Sequence, residues 1–234
     1  TLGLNHEQQH QELLLTDLKY ALSLNPIFPV YKQGFDLTST KSENNGFLKM
    51  SEGIYDIGFQ DEGFCFDNEL GRHKVFLHDY EIAKQLVTNG EFLDFVQDGG
   101  YEDFRFWLDE GWAWVKTNRK KAPLYWIEKE GDWHVYTLSG LKPLDLKAEL
   151  CHISYFEASA FATWKGMRLP TEFEWEAASG QRSWGSRWEW TGSAYLPYPN
   201  FKIAEGAVGE YNGKFMVNQM VLRGASNATA PGHS

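Results

Sequence analysis

The chain has 234 residues, 42% hydrophobic and 23% charged, enough for one large globular domain or two small ones around a real core. A formal charge of −10 excludes a nucleic-acid partner, which needs a basic face, and no apolar run approaches the roughly 18 residues of a membrane span. Aromatic residues make up 16%, with ten Trp, eleven Tyr and sixteen Phe, which predicts a core of rings and loops with little regular secondary structure.

Residues 5–24 predict the first helix, with Asn5 as its cap and neither Gly nor Pro before Pro26. Within it His6 and His10 stand four apart on one face, with Cβ atoms about 6 Å apart. Two imidazoles so placed can bind one divalent metal through ring nitrogens at about 2.0–2.1 Å. Leu14, Leu18 and Ala21 continue the His10 face, so the pair is expected to be buried, where unpaired imidazoles would be costly. The bland alternative is two polar histidines on an exposed face. The run His6-Glu7-Gln8-Gln9-His10 also spells the zinc-protease pattern, with Glu7 as general base. That reading fails on context. Gln11-Glu12-Leu13-Leu14-Leu15 holds neither the Gly nor the third His of the extended form, and no glutamate lies between Glu12 and Glu43. His73, His78, His134, His152 and His233 are the other histidines, and none has a spacing that recommends it as a third ligand.

Pro26 and Pro29 end the helix, and residues 30–47 form a polar connector with a domain boundary near residue 45, dividing 1–45 from 46–234. Beyond it, strand-like runs such as Val75-Phe76-Leu77 alternate with Gly and Asp turns. Helices are predicted at Asn89–Gln97 behind Thr88, at Tyr155–Trp164 with Ser154 and Glu157 as a capping box, and at Glu172–Ala178 behind Thr171. The aromatic stretch 112–137, with Trp112, Trp114, Tyr125, Trp126, Trp133 and Tyr136, predicts strands around a turn at Glu130-Gly131-Asp132. A last strand falls at Val221-Leu222-Arg223. No internal repeat is present. The expected class is an α+β domain joined to a helical piece. Cys65 and Cys151 fit neither a metal nor a redox spacing and read as reduced thiols of a cytoplasmic protein. Both ends of the chain look cut, so a fragment is expected.

Four further motifs belong together. The run Gly166-Met167-Arg168-Leu169-Pro170-Thr171-Glu172-Phe173-Glu174-Trp175-Glu176 closely resembles the signature of formylglycine-generating-enzyme-like (sulfatase-modifying-factor) domains. Trp188-Glu189-Trp190-Thr191, Val87-Thr88-Asn89 and Val221-Leu222-Arg223-Gly224 resemble the same family, in its order, over residues 48–225. Read by themselves, Arg168, Glu172 and Glu174 are buried-charge and cap partners, and the tryptophans are core. The resemblance implies a C-type-lectin-like fold low in regular structure, which by itself does not fix function. True formylglycine-generating enzymes carry a cysteine pair shortly after this point. Here Arg223-Gly224-Ala225-Ser226 is followed by Asn227-Ala228-Thr229-Ala230, without cysteine, so that thiol chemistry is absent.

Joined to the helix His6–Leu13, and with Tyr195-Leu196-Pro197-Tyr198-Pro199 and the run 209–215, the domain resembles the ergothioneine-biosynthesis sulfoxide synthases (EgtB type). These fuse a DinB-like helical bundle to the lectin-like domain. The resemblance implies that residues 1–45 are the last helix and connector of a truncated bundle. It implies iron(II) held by three histidines: His6, His10 and one upstream of Thr1. Gln9 matches the glutamine that contacts the histidine-derived substrate, and Tyr211 is the candidate catalytic tyrosine. The implied activity is an iron-dependent, O2-dependent oxidoreductase reaction on small molecules. It joins a cysteine-containing thiol to C2 of the imidazole of Nα-trimethylhistidine as a sulfoxide, and aromatic surroundings suit the trimethylammonium group. Two alternatives stay open: the same chemistry on another histidine/thiol or selenium pair, and a non-catalytic lectin-like binding module on which the helix merely packs.

Overall fold

The computed structural model describes residues 1–35 and 46–231. The expected boundary at residue 45 and His233 lie outside the described residues. Helix α1 runs Leu2–Ser23, and its N-cap is Thr1, not Asn5. Asn5 sits inside the first turn, where its side-chain amide donates back to the Thr1 carbonyl at 3.1 Å and so caps none of the free N–H groups of the helix start. After α1 the chain crosses the far end of the domain. There Tyr136 donates its hydroxyl to the Pro29 carbonyl at 2.8 Å, and the Tyr31 amide bonds to Leu138 at 2.9 Å.

The domain is α+β, with short antiparallel sheets and short helices. Strand β1 (Phe47–Met50) pairs with β4 (Tyr80–Ala83), and β2 (Gly53–Ile57) with β3 (His73–Leu77). Strands β5 (Trp126–Lys129), β6 (Asp132–Thr137) and β7 (Gly140–Pro143) form a meander, turning at Glu130-Gly131 as the sequence suggests. Strand β8 (Trp188–Ala194) pairs with β9 (Met220–Gly224), with an irregularity between Trp190 and Ala194.

Three of the remaining helices form where caps announce them. In α2 (Asn89–Gln97), α4 (Tyr155–Trp164) and α5 (Glu172–Ser179), the N-cap hydroxyl of Thr88, Ser154 or Thr171 accepts an amide, and a glutamate three residues on returns the bond. The fourth, α3 (Asp109–Asn118), corrects the expectation of strands at Trp112 and Trp114. Its N-cap is Leu108, which has no side chain able to cap, so the start is marked only by the acidic pair Asp109 and Glu110 in the first turn. Its aromatic residues fit helix and strand alike.

The core is built from rings, as the composition suggests. Phe92 and Phe95 are fully buried on α2, with Phe92 stacked on Phe161 of α4 at 5.3 Å and 24°. Trp107, Trp126, Val115 and Leu150 complete the cluster. The polar groups of Glu157, Tyr101 and Trp107 enter this core and are hydrogen-bonded there. Buried Glu157 accepts the Tyr101 hydroxyl at 2.6 Å and the Ser154 amide at 2.7 Å, and the Trp107 indole donates to the Gly100 carbonyl at 2.7 Å. Gly100 itself lies flat against Phe95, where a Cβ would overlap the ring.

Helix α5 holds the family-like motif, and each of its three glutamates ties down a different segment. Glu174 takes a bidentate pair from Arg168 at 2.6 and 2.7 Å. Buried Glu172 accepts the Tyr198 hydroxyl at 3.1 Å, fixing the loop after β8. Glu176 accepts the Gly58 amide at 2.7 Å and pairs with Arg223 of β9. Glu172 and Glu174 are buried, as expected, whereas Arg168 is exposed and meets Glu174 from the surface. Replacing Phe92 with Ala is expected to destabilise the domain by about 3–5 kcal/mol. Urea unfolding followed by tryptophan fluorescence measures it; a loss under about 1 kcal/mol would show that this ring is not central.

Candidate functional site

Helix α1 has no buried residue. This corrects the expected burial of the histidine pair: His6 and His10 are exposed, and so are Leu14 and Ala21 on the same face. The reason is which side of the helix the domain takes. It takes a polar stripe, Gln9, Glu12 and Lys19, spaced at three and seven residues. The Tyr211 hydroxyl donates to Gln9 Oε1 in a short hydrogen bond. Glu12 accepts the Trp188 indole N–H at 2.9 Å through Oε2 and the Thr229 hydroxyl through Oε1. Lys19 donates to His152 Nε2 at 2.9 Å, with its ammonium 4.4 Å from the centre of the Tyr125 ring. The sequence identifies Gln9 and Tyr211 only through resemblance, names Trp188 only within the family-like run Trp188–Thr191, and does not single out Glu12 or Lys19. Helical spacing from Gln9 is the signal available for those two.

Tyr211 brings the two parts together. Its ring meets His6 edge-on at 5.1 Å and stacks on Phe66 at 5.5 Å and 15°. The next residue, Asn212, donates to Asp67 and, at 3.2 Å, to Asn68. This clasp ties the Tyr211 loop to the loop that carries Phe66. Burial, and then the Asp67 charge, push the Tyr211 phenol above its ordinary pKa, so it holds its proton at neutral pH. Tyr195, beside the same loops, is pushed up to about 12, chiefly by burial.

His6 and His10 turn their Nε2 atoms towards each other, 3.1 Å apart, with rings 4.5 Å between centres. Two nitrogens bound to one ion at about 2.1 Å, at angles between about 90° and 109°, would stand about 3.0–3.4 Å apart. The observed separation matches that edge, so the pair fits two ligands of one metal ion. No third protein ligand joins them: among the described residues no group of three His, Cys, Asp or Glu side chains could hold a metal. His73 packs on Tyr198 at 4.8 Å, His78 on Phe76 at 5.1 Å, and His134 bonds to the Asp132 carbonyl at 3.2 Å. His152 lies beside Lys19, about two and a half helical turns along α1 from His10. Glu7, the would-be protease base, is exposed.

A cavity of about 1100 Å³ opens between α1 and the domain, with Glu12, Lys19, Cys151, His152 and Trp188 in its wall. His152 is exposed to solvent at the edge of this cavity, with neighbouring protein crowding its ring. That crowding, then the charges of Lys19 and Arg187, push its pKa down to about 3. The imidazole is therefore neutral, and because Nε2 accepts from Lys19 the proton sits on Nδ1. Burial, with a further push from Arg187, also lowers the Lys19 pKa. The seat is strained as well, since Tyr125 and His152 hold φ of 72° and 59°, where bulky residues cost about 1–3 kcal/mol each.

The family model described as the sulfatase-modifying factor enzyme 1-like domain matches residues 35–212. The chain is 29% identical to a protein named hercynine oxygenase from Mycolicibacterium smegmatis, over 99% of this chain and 65% of that protein. It is 34% identical to a hercynine oxygenase from Mycolicibacterium thermoresistibile, over 74% of this chain and 38% of that protein. It is 32% identical to ergothioneine biosynthesis protein 1 of Schizosaccharomyces pombe, over 47% of this chain and 12% of that protein. The chain spans less than two thirds of the length of each of these relatives. No described helix is long and apolar enough to cross a membrane.

The neutral state of His152 gives α1 a pH-sensitive anchor. The unfolded histidine titrates near 6.5 and the folded one near 3, so the unfolded state binds more protons between those values. This contribution to stability is complete above pH 6.5 and is lost as pH falls towards 3. Amide exchange in α1 is expected to accelerate from pH 7 to pH 5, after correction for intrinsic rates, more than exchange in α2. Equal change in the two helices would contradict the assignment.

Proposed function

The chain belongs to the sulfatase-modifying factor enzyme 1-like family, and we propose that within it the chain carries part of an ergothioneine-pathway oxygenase site. The proposed reaction is the iron(II)- and O2-dependent joining of a cysteine-containing thiol to C2 of the imidazole of Nα-trimethylhistidine as a sulfoxide. One observation carries this reading. Tyr211, some 200 residues along the chain, touches both Gln9 and His6 within the His6–His10 helix. A helix that merely packed on a binding module would have no need to aim a phenol at a metal-spaced histidine pair. The names of the relatives, hercynine oxygenase and ergothioneine biosynthesis protein, support the same pathway.

In this reading His6 Nε2 and His10 Nε2 are two of the three protein ligands of iron(II), with the third supplied from upstream of Thr1. Bound there, iron(II) would supply the O2 binding and electron transfer that no amino-acid side chain provides. The chain's own residues bind and orient. Gln9 stands one helical step from the pair and offers its amide to the histidine-derived substrate. Tyr211 keeps its proton at neutral pH and is the group placed to deliver or receive one beside the pair. Phe66, stacked on Tyr211, keeps that phenol in one orientation and shields one face of it from water.

The exposure of His6 and His10 favours a second reading, a lectin-like module without catalysis. Metal binding separates the two. In the longer protein that carries the upstream ligand, anaerobic titration with iron(II) is expected to show one equivalent bound, abolished in His10→Ala while near-ultraviolet circular dichroism reports an unchanged domain. Stoichiometric iron in that variant would refute the ligand assignment. With iron, trimethylhistidine and a cysteine-containing thiol present, O2 uptake is expected, and Tyr211→Phe should lower its rate by about 100-fold or more. No uptake with any such thiol would sink the enzymatic reading.

A further inference from the structure

We propose that Glu12 is a positioning residue, the pin that sets the rotation of α1 and so aims His6, Gln9 and His10 at Tyr211. The proposal rests on the functional reading above and deepens it. Both carboxylate oxygens of Glu12 are engaged, and by different parts of the domain. The Trp188 indole of β8 donates to Oε2 at 2.9 Å, and the hydroxyl of Thr229, five residues beyond β9, donates to Oε1. Hydrogen bonds to a carboxylate are stronger and more directional than neutral ones. An indole N–H can only donate, so Trp188 has no second way of meeting this helix.

The geometry of a helix turns this contact into an aiming device. Glu12 lies two residues from His10, three from Gln9 and six from His6, within two turns of the whole site. Side-chain ends ride about 5–6 Å from the helix axis, so a rotation of about 20° would carry an imidazole nitrogen some 2 Å sideways. That shift would break the 5.1 Å ring contact between His6 and Tyr211. Apolar packing opposes such a rotation only weakly, because Leu15, Leu18 and Leu22 of α1 are only partly buried. Lys19 anchors the helix seven residues further on, about 10 Å along the axis, too far to fix the site alone. Gln9 and Tyr211 are themselves the groups being aimed. Among the described contacts of α1 with the domain near the pair, Glu12 makes the one that belongs to neither the metal ligands nor the substrate-facing side chains.

The test is made in the longer protein that carries the upstream ligand and compares the wild type with Glu12→Ala, Glu12→Gln, Trp188→Phe and the double variant Glu12→Ala/Trp188→Phe. The expected result for Glu12→Ala is unchanged iron(II) stoichiometry and unchanged exchange in α2 and α4, with amides 6–14 of α1 exchanging at least about tenfold faster. The ferrous–nitric oxide electron paramagnetic resonance signal with trimethylhistidine bound should become broader and more heterogeneous. The kcat for O2 uptake should fall about 10- to 100-fold, with KM changed less than about threefold. Glu12→Gln, which keeps one acceptor oxygen, should recover part of kcat, and the double variant should lose no more than Glu12→Ala alone. The proposal is overturned if Glu12→Ala leaves exchange in α1 and the resonance signal unchanged. Loss of iron in Glu12→Ala, or full additivity with Trp188→Phe, would overturn it equally. If the wild type consumes no O2, the functional reading fails, and the exchange and coupling results still decide whether Glu12 pins the helix.

Discussion

The candidate site depends on how one helix is held. Helix α1 brings both candidate metal ligands and Gln9, yet it contributes no residue to the hydrophobic core. Its attachment is a row of polar contacts, Gln9 with Tyr211, Glu12 with Trp188 and Thr229, and Lys19 with His152. An apolar seam tolerates sliding and rotation, because burial is non-directional. Hydrogen bonds specify angle and register, and that is the quality a metal-and-phenol site needs.

The lectin-like domain supplies the rigid side of that arrangement, and α5 is where its rigidity is concentrated. Glu172 holds Tyr198, which starts the long loop leading to Tyr211, and the Asn212 clasp on Asp67 and Asn68 closes it. The residues that make the family resemblance most visible are therefore support for the site, not its reactive groups. The phenol and the histidine pair lie at the ends of two separate supports that meet only in the folded chain.

Much of the domain is legible from local sequence. The capping boxes at Thr88, Ser154 and Thr171 mark their helices because each cap and its glutamate are three residues apart. Helix α3 is missed for the converse reason, since Leu108 offers no side-chain cap and tryptophans favour neither period. The apolar face of α1 is visible in the sequence, but an amphipathic pattern says that a face exists, not what lies against it. Leu4, Leu13 and Leu14 in fact remain exposed, and the domain takes the polar stripe instead. His6 and His10 are legible because four-residue spacing is itself the geometry. The partners of Glu12 and Lys19 are not, because they lie 133 to 217 positions away and are chosen by the tertiary fold.

The polar seam under α1 also has a thermodynamic signature. Separating surfaces that bury little apolar area exposes little of it to water, so releasing α1 would change the heat capacity only slightly. The ring-filled core behaves oppositely, because Phe92, Phe95 and their neighbours expose large apolar surfaces when they part. Cooling therefore weakens the core's driving force while leaving the helix attachment nearly untouched. Acid acts on the helix attachment through His152. The two halves of the site thus answer to different solution variables, although they meet at a single tyrosine.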